Sequence, residues 1–334
     1  MNNKFNFVQV KIDYVDEALV MVLNAYIKER QSIPYLPDAD FSNSIRDSIK
    51  YLFENGSGYA ALLNNEFVGF LSGFKVDNFF GKYNGIYCPI YGHGVKPDYG
   101  LSLYSELYRY AADQWVKEEY ITHAVTVFSH DDALVNMWFW QGFGLRCIDS
   151  IRQTSTLKLP ASLTNSTSSG FEIRKAVAED ADILSDIHIQ HNNYYRRSPV
   201  FMPRSNYDPV EEHMDWMSQE GNHEWVAYRS NKPIGIMRLC TEAESFISCH
   251  SSVMNIQDSF VIESERGNGV GSALLNTVQQ WLMENGYPLC GVDYESINPQ
   301  AKNFWGRYFT PYTYSLVRRI DEQILPYIKI NLKD

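Results

Sequence analysis

The chain lacks an excess of positive charge. Its 334 residues include 29 Lys and Arg against 40 Asp and Glu, which gives a formal net charge of −11. Proteins that bind a phosphate backbone need basic residues to neutralise it. This balance therefore argues against a nucleic-acid partner and mildly favours cationic partners.

The chain also lacks the segments expected of membrane and secreted proteins. No run of 18 apolar residues occurs, and the first residues, MNNKFNFVQVKID, have no signal-peptide core. The five cysteines are odd in number, scattered, and form no C-x-x-C pair. We therefore expect reduced, buried thiols in a cytoplasmic protein with no membrane partner.

The chain does contain an internal repeat. Shifting the sequence against itself by about 166 residues aligns the hairpin YAALLNNEFVGF with VAYRSNKPIGI, Trp115 with Trp281, and Phe143 with Phe309. The polar, turn-forming stretch LPASLTNSTSSG lies between the copies, as a linker should. The sequence thus predicts a tandem duplication with a first domain at 1–155, a linker at 156–170 and a second domain at 171–334.

Each copy has the predicted order strand, helices, antiparallel hairpin and meander, long helix, strand, helix, strand. In the second copy EDADILSDIHIQHNNYY has helical spacing, and a hairpin is expected to turn at residues 230–232. The stretches SFISCHSS and QDSFVI are expected to continue the sheet. SALLNTVQQWLMENG is predicted to be a helix that buries Trp281 and ends at Gly286. The expected fold class is α+β, with a mixed, mostly antiparallel sheet flanked by helices.

A glycine-rich turn, ERGNGVGSALL, stands between the strand-like DSFVI and that long helix. A strand, such a turn and a helix N-terminus together form an anion site, because glycine permits close approach and positive φ while the helix dipole attracts negative charge. The dinucleotide fingerprint needs a third glycine where Ser272 stands, and the G-K-[ST] of a Walker loop is absent.

The turn resembles motif A of the GNAT superfamily of N-acyltransferases, Q/R-x-x-G-x-G/A, with Arg266, Gly269 and Gly271 at the defined positions. The later stretch ESINPQAKNFWGRYF resembles the family's N-x-x-A-x-x-F-Y segment through Asn298 and Phe304. The resemblance implies two tandem GNAT-type folds, acetyl-CoA as the cofactor, and direct attack of a neutral amine on the acetyl thioester.

The resemblance implies that coenzyme A binds in the second copy, with its pyrophosphate on the glycine turn and its pantetheine paired with the preceding strand. The implied cofactor-binding residues are Phe260, Val261, Ile262, Arg266, Gly267, Asn268, Gly269, Val270, Gly271, Ser272, Asn298, Phe304 and Trp305.

The first copy does not carry the same pattern. Gly100, Leu103 and Ser105 stand at the places of the three motif positions, and Asp132 stands at the place of Asn298. We therefore expect the first copy to have kept the fold and lost the pyrophosphate site.

The catalytic residues are less clearly marked. The resemblance implies a tyrosine that protonates the leaving sulfur, but Trp305 holds that position, and indole has no useful acidity. Tyr308, three residues on, is the candidate substitute, with simple packing as the alternative. Asp258, Glu295 and His250 are candidates for the base that takes a proton from the ammonium form of the acceptor.

The segment HNNYYRRSPVFMP is expected to form the acceptor wall, with Tyr194 and Tyr195 holding an apolar or cationic group. The alternative is that the two tyrosines pack between the copies. We expect a small amine acceptor with an apolar or aromatic body, and a monomer or homodimer. His188 and His191 have no evident third ligand and are expected to be solvated helix residues, so no metal site is predicted.

Two functions remain open. One is an acetyl-CoA-dependent N-acetyltransferase that acts on a primary amine of a small molecule. The other is a non-catalytic, CoA-binding regulatory or scaffold protein. This alternative stays open because Trp305 replaces the tyrosine expected in the motif.

Overall fold

Two compact units make up the protein. The computed structural model describes residues 5–164, 170–203 and 208–331, so residues 165–169 of the predicted linker lie outside the described residues. The first unit runs up to Ile148 and also includes the segment from Pro311 onward, and the second spans Asp149–Thr310. Within those described ranges, no helix has both the length and the apolar character that crossing a bilayer requires.

The first unit is a mixed sheet with helices packed on it. Its strands are β1 (Asn6–Gln9), β2 (Ser57–Leu63), β3 (Glu66–Val76), β4 (Gly85–Cys88), β5 (His93–Val95), β6 (Thr122–Phe128) and, except for its first residue, β13 (Thr310–Arg319). Its helices are α1 (Val15–Ser32), α2 (Ser42–Asn55), α3 (Gly100–Lys117), α4 (Asp132–Trp140) and α10 (Leu325–Asn331). The strand order is β1-β2-β3-β4-β6-β13, with β5 beside β3. All of these pairs are antiparallel except β4 with β6.

The second unit repeats this plan. Its strands are β7 (Gly144–Gln153) from Asp149 on, β8 (Glu172–Lys175), β9 (His223–Arg229), β10 (Lys232–Cys240), β11 (Val253–Val261) and β12 (Leu289–Glu295). Its helices are α5 (Ala161–Thr164), α6 (Ala181–Tyr195), α7 (Pro209–Ser218), α8 (Val270–Glu284) and α9 (Pro299–Trp305). The order is β8-β9-β10-β11-β12-β7. β11 and β12 are parallel, and β8 to β11 are antiparallel. The α+β class with a mixed, mostly antiparallel sheet is confirmed.

The repeat is visible in the two hairpins. β2 and β3 turn at Asn64 and Asn65, and β9 and β10 turn at Ser230 and Asn231, all four with positive φ. Two consecutive positive-φ residues match the right-handed twist of the flanking strands, and asparagine tolerates that conformation better than most residues. Both predicted hairpins therefore exist and turn in the same way.

The last strand of each unit comes from the other half of the sequence. Thr313–Arg319 of β13 pair antiparallel with Thr122–Phe128 of β6, whereas β7 lies beside β12. The units thus differ from the predicted boundaries at 155 and 171. The two strands are equivalent copies in the repeat, so the sequence repeat alone cannot assign either one to a sheet.

One predicted strand is wrong. SFISCHSS, residues 245–252, forms turns, and β11 begins only at Val253. Ser245 and Ser248 each donate a backbone N–H to the other's hydroxyl at 3.1 Å, and the Cys249 N–H donates to the Ser245 carbonyl. Such local bonds satisfy the backbone without a neighbouring strand and compete with sheet formation.

Helix α8 forms as predicted. Leu274, Leu275 and Val278 are fully buried, and Gly286 follows the helix end with φ 76°, as a helix C-terminus favours. Trp281, expected in the core, is only partly buried. It packs edge-on against Trp225 on β9, with the ring centroids 5.3 Å apart.

A buried arginine lies at the centre of the second unit. Arg238 on β10 is 2% exposed and Glu224 on β9 is 0% exposed. The Arg238 Nε donates to Glu224 at 3.1 Å, and a terminal nitrogen donates to Glu212 on α7 at 2.8 Å. The other terminal nitrogen lies 3.2 Å from His188 on α6. Burying these charges is tolerable only because they are paired, so the network ties α6 and α7 to the sheet.

We expect Arg238→Met to lower the free energy of unfolding by about 3–5 kcal/mol, because Glu224 would remain buried without its main counter-charge. The matched control is Arg319→Met, which removes an exposed pair with Glu322 and should cost less than about 1 kcal/mol. Urea unfolding followed by tryptophan fluorescence measures both. Equal losses for the two variants would contradict the structural role of Arg238.

Candidate active site

A β-bulge opens a gap in the sheet of the second unit. Arg238 pairs with Asp258 while Leu239 pairs with Ile256, so Gln257 is an extra residue in β11. The parallel pairing of β11 with β12 ends at the same point, with Ile256 opposite Val292. β11 nevertheless continues to Val261. A bulge bends its strand and increases its twist, which explains why β11 and β12 separate beyond it.

The separation leaves one edge of β11 facing the gap. The Ile262 N–H donates to the Ile234 carbonyl on the β10 side at 3.0 Å. The backbone N–H and C=O groups of successive residues in an antiparallel strand point alternately to its two sides. The backbone groups of Phe260 therefore also point to β10, and those of Val261 point into the gap. The Arg266 Nε, which donates to the Val261 carbonyl at 3.0 Å, confirms that orientation. Of the three strand residues implied for cofactor binding, Val261 is thus the one whose N–H points into the gap.

The glycine turn leads directly into α8. Gly267 has φ 81° and Gly269 has φ 83°, conformations that favour glycine. A Cβ on Gly267 would meet no atom within 4 Å, so this part of the turn is open. The exposed Asn268 lies between them, and Val270 begins the helix as a buried residue. Backbone N–H groups at such a start, together with the helix dipole, suit a phosphate.

The turn is held from both sides. Glu265 just before it is paired with Arg229 at 3.0 Å. Leu163 of α5 packs onto Gly269, where an added Cβ would lie 2.3 Å from its methyl carbon. A Cβ on Gly271 would lie 3.3 Å from the Phe304 ring. Glycine at 269 is therefore favoured by its positive φ, and a larger residue there would have to displace the Leu163 side chain.

Arg266, Tyr194 and Asn298 form one connected group. The Arg266 guanidinium lies over the rings of Tyr194 at 4.8 Å and Phe260 at 5.4 Å. The Tyr194 hydroxyl donates to Asn298 Oδ1 at 2.9 Å. That oxygen also caps α9 by accepting from the N–H groups of Gln300 and Ala301. Tyr194 thus lies among the implied cofactor residues, while Tyr195 packs edge-on against His191 with centroids 5.2 Å apart.

The aromatic residues at the end of α9 pack as a group. Trp305 is 6% exposed and contacts Phe304 and Phe309. The Tyr308 hydroxyl lies 2.9 Å from the Ser272 hydroxyl. Since Ser272 is in the first turn of α8, the structure places the Tyr308 hydroxyl beside the glycine turn.

A group of carboxyls surrounds Asp293, which the sequence patterns missed. Asp293 follows Val292, the last residue of β12 that pairs with β11. Burial, followed by the charges of Asp149, Glu244, Glu295 and Asp258, raises the pKa of Asp293 to about 7. Asp293 is nevertheless exposed to solvent, so a ligand has access to it. A carboxyl with this pKa is suited to take up and release protons near neutral pH.

The three bases expected from the sequence lie in different surroundings. Asp258 lies 3.9 Å from His191 Nδ1 and 4.0 Å from a terminal nitrogen of Arg238, and it is one of the carboxyls around Asp293. Glu295 ends β12 and belongs to the same group. His250 bonds through Nδ1 to the Ser252 hydroxyl at 2.6 Å, in the turn before β11.

His188, His213 and Glu224 offer three ligand atoms within 4.8 Å of one another. The Arg238 guanidinium already lies among them, 3.2 Å from His188 Nε2 and 3.4 Å from His213 Nδ1. Burial, then the charge of Arg238, lowers the pKa of His188 to about 4. A fixed cation therefore occupies the place that a metal would need. His188 and His191 are also buried, so the expectation of solvated histidines is wrong.

The first unit builds the corresponding region differently. The counterpart of Val270, where α8 begins, is Tyr104, yet α3 begins one turn earlier at Gly100. The residues that correspond to the glycine turn of the second unit thus form the first turn of α3. Leu103, in this helical turn, is fully buried. The residue that caps α4 is Asp131, through the Leu134 N–H at 3.0 Å. Asp131, and not Asp132, therefore corresponds to Asn298.

Residues 190–309 match the family model described as the acetyltransferase (GNAT) family. No curated protein matches the chain by sequence. Among solved structures, a GCN5-related N-acetyltransferase from Sphaerobacter thermophilus matches with TM-score 0.59 and 12% identity, covering 96% of each chain. A GNAT-family acetyltransferase from Colwellia psychrerythraea matches with TM-score 0.50 and 10% identity, covering 95% of this chain and 100% of that one.

The glucosamine N-acetyltransferase region of a fungal multi-domain GH3 β-N-acetylglucosaminidase matches with TM-score 0.58 and 13% identity. That match covers 94% of this chain and 38% of the fungal chain. Identities this low show the fold, which is shared over almost the whole chain. The strand, glycine turn and helix described above lie inside residues 190–309, the part of the chain that is similar to the GNAT acetyltransferase family.

Proposed function

We propose that the second unit is an acetyl-CoA-dependent N-acetyltransferase that acts on the primary amine of a small molecule. The observation that carries the proposal is the gap beyond Gln257. One side of this gap presents the Val261 N–H, and the strand on the other side carries Asp293 at the point of separation. A donor for a developing oxyanion and a base for an amine thus lie on the two strands that border one opening.

The chain's residues fit coenzyme A. The open turn at Gly267 and the N–H groups at the start of α8 would hold the pyrophosphate, and Arg266 adds positive charge beside them. The β11 edge at Val261 would pair with the pantetheine amides as an added strand would. When bound, acetyl-CoA supplies the activated acetyl thioester and a thiolate leaving group.

Asp293 would act as the general base. An alkylammonium has a pKa near ~10 and cannot attack a carbonyl until it loses a proton. With its pKa raised to about 7, Asp293 is ionised above neutral pH and is a stronger base than an ordinary carboxylate. With acetyl-CoA bound, the neutral amine would attack the thioester carbon, and the Val261 N–H would donate to the carbonyl oxygen, an oxyanion-type stabilisation. As the carbon–sulfur bond breaks, the nitrogen would lose its second proton to water.

The surroundings of Asp293 favour a cationic acceptor. Asp149, Glu244, Glu295 and Asp258 all act electrostatically on Asp293, so this group of carboxyls attracts an ammonium group before any proton is transferred. Tyr194 belongs with the cofactor residues, which leaves Tyr195 as the remaining tyrosine of the predicted wall. We therefore propose a small amine bound as its cation, with its apolar part against the α6 end near Tyr195.

The leaving thiolate needs little help from an acid. An ordinary thiol has a pKa of about 8.5, so its anion is a tolerable leaving group near neutral pH. Since the Tyr308 hydroxyl lies against Ser272 at the start of α8, we place Tyr308 at the phosphate end of the cofactor and not at its sulfur. The sulfur would then take its proton from water.

The second candidate function is a CoA-binding regulator without turnover. It is favoured by one observation: the position that holds a tyrosine in the resembling motif is the buried Trp305, which cannot donate a useful proton. Acetyl-CoA consumption with a panel of small primary amines separates the two functions. No thiol release above the rate in buffer, despite tight acetyl-CoA binding, would favour the regulator.

Gly267→Asp should weaken acetyl-CoA binding by about 100-fold or more, because a carboxylate beside the pyrophosphate repels it. Gly286→Asp is the matched control at the other end of α8. It has similar φ, 76° against 81°, and equally open space. Calorimetry should give one acetyl-CoA per wild-type chain and a near-normal Kd for the control. Two molecules per chain would contradict a site restricted to the second unit.

Asp293→Asn should lower kcat/KM by roughly 10²-fold or more, the usual contribution of a general base. In the wild type, kcat/KM should rise with pH through about 7, because only the ionised Asp293 carboxyl accepts a proton. Glu244→Gln removes one neighbouring charge and should shift this limb to lower pH with little loss of plateau rate. If Glu244→Gln leaves the pH dependence of kcat/KM unchanged, or if Asp293→Asn still shows the rise of kcat/KM near pH 7, the general base is a residue other than Asp293.

Tyr308→Phe tests the placement of the tyrosine hydroxyl. We expect kcat to stay within about 3-fold and the Kd for acetyl-CoA to rise, since the hydroxyl belongs to the phosphate end. Ser272→Ala, which removes the partner hydroxyl, should behave in the same way. A fall in kcat of roughly 10²-fold with unchanged affinity would instead make Tyr308 the acid that protonates the sulfur.

A further inference from the structure

The first unit contains a cavity of about 640 Å³ that the acetyltransferase proposal does not use. It is enclosed by α1, β5, the first turn of α3 and the residues that connect β6 to α4. These elements are the repeat counterparts of those that build the cofactor site in the second unit. The volume lies in the usual range for small-molecule sites, which runs from about 300 to 1,000 Å³.

Most of the cavity wall is apolar. Met21 and Ala25 come from α1, Val95 from β5, Leu101 from α3, and Phe128 from the end of β6. An apolar wall with a few convergent polar groups is the usual make-up of a site for a small organic molecule. Polar residues line the cavity from α1 and β5 as well, and one group of them lies where β6 runs into α4.

A carboxylate–histidine pair is the central polar feature. Glu29 on α1 is 2% exposed, and its Oε1 lies 2.7 Å from His130 Nδ1. The same oxygen accepts from the Ser129 hydroxyl at 3.1 Å, and Oε2 accepts from the His130 backbone N–H at 3.3 Å. Two donors of His130 thus fix the Glu29 carboxylate, and the single hydrogen of the Ser129 hydroxyl is shared between Glu29 and the Pro311 carbonyl, which is 2.9 Å away. The carboxylate in turn fixes the imidazole of His130.

This geometry orients His130 toward a ligand. Because Nδ1 donates to Glu29, the neutral imidazole carries its lone pair on Nε2. His130 lines the cavity with its side chain 38% exposed. Within residues 5–164, 170–203 and 208–331, no hydrogen bond reaches Nε2. The Ser129 hydroxyl and Glu29 both contact Nδ1 of His130. A catalytic triad needs the serine hydroxyl on Nε2, opposite the carboxylate, so these three residues do not form one.

The charges near His130 are negative. Asp131 lines the same end of the cavity and acts electrostatically on His93 and Tyr104, which also line it. Two lysines line other parts of the wall. The ammonium of Lys96 is paired with Glu66, and Lys28 is exposed to solvent. The end with Glu29 and Asp131 therefore favours a cation.

We propose that this cavity is a binding site for a small organic amine, whose ammonium group donates to His130 Nε2 and whose apolar part fills the space between α1 and β5. Glu29 and Asp131 supply the compensating negative charge. The site is separate from acetyl transfer and does not depend on it. The early start of α3 at Gly100 and the carboxylate of Asp131 disfavour the anionic phosphates of coenzyme A here.

Three probes of equal length test the proposal: 4-phenylbutylamine, 4-phenylbutanol and 4-phenylbutanoate, titrated calorimetrically into the full chain. We expect the amine to bind at least 10-fold more tightly than the alcohol and the carboxylate. Glu29→Gln should reduce the affinity for the amine at least 10-fold. Equal affinity for amine and alcohol would show a merely apolar cavity and overturn the proposal, as would no amine binding at 10 mM.

Because Glu29 is buried, a second pair of variants keeps the test independent of folding. Ala25 is exposed and lines the cavity, so Ala25→Trp should fill the space and abolish this binding. Ile27 on the same helix is 52% exposed and is not part of the cavity wall, so Ile27→Trp should leave binding unchanged. Amine binding that survives Ala25→Trp would place the ligand elsewhere, for example at the carboxyls around Asp293, and would refute a site in the first unit.

Discussion

The site in the second unit depends on one irregularity, the extra residue Gln257 in β11. Without it, β11 and β12 would continue to pair beyond Ile256 and Val292, and there would be no gap between the two strands. With it, β11 keeps its partner β10 as far as Val261 while its other edge is exposed to a ligand. A backbone edge provides hydrogen bonds at a fixed spacing, and it does so without any special side chain. The proposed cofactor site therefore depends on the register of three strands.

The two units build the same region of one fold in two different ways. In the second, a glycine turn with two positive-φ residues leaves the first N–H groups of α8 available to an anion. In the first, the corresponding backbone belongs to the opening turn of α3, and Leu103 fills the core instead. The cleft nevertheless persists there as a cavity with the pair Glu29 and His130 at one end. The first unit thus lacks the glycine turn but keeps an open space beside the corresponding helix.

The sequence predicted those features that depend on local chemistry. The hairpins follow from asparagines that tolerate positive φ, and the long helix follows from the spacing of Leu274, Leu275 and Val278. The glycine turn was likewise recognisable, because few other arrangements need three alternating glycines before a helix. The failed strand at residues 245–252 also has a local cause, since serine hydroxyls took over the backbone bonds.

The remaining features depend on contacts between distant parts of the chain. The raised pKa of Asp293 reflects carboxyls on β7, β11, β12 and the turn before β11, which no short window of sequence contains. The position of Tyr194 beside Arg266 and Asn298 depends on how α6 meets the sheet. The exchange of β7 and β13 could not be predicted either, because two equivalent strands fit either sheet equally well.

Amide hydrogen exchange at Val261 tests the central claim most directly. If the gap edge of β11 binds the cofactor, saturating acetyl-CoA should slow exchange of the Val261 N–H by at least about 10-fold, whereas Val95, its counterpart in the first unit, should be unaffected. Phe260, whose N–H already faces β10, should change much less. Unchanged exchange at Val261 with acetyl-CoA bound, or new protection at Val95 instead, would contradict the account.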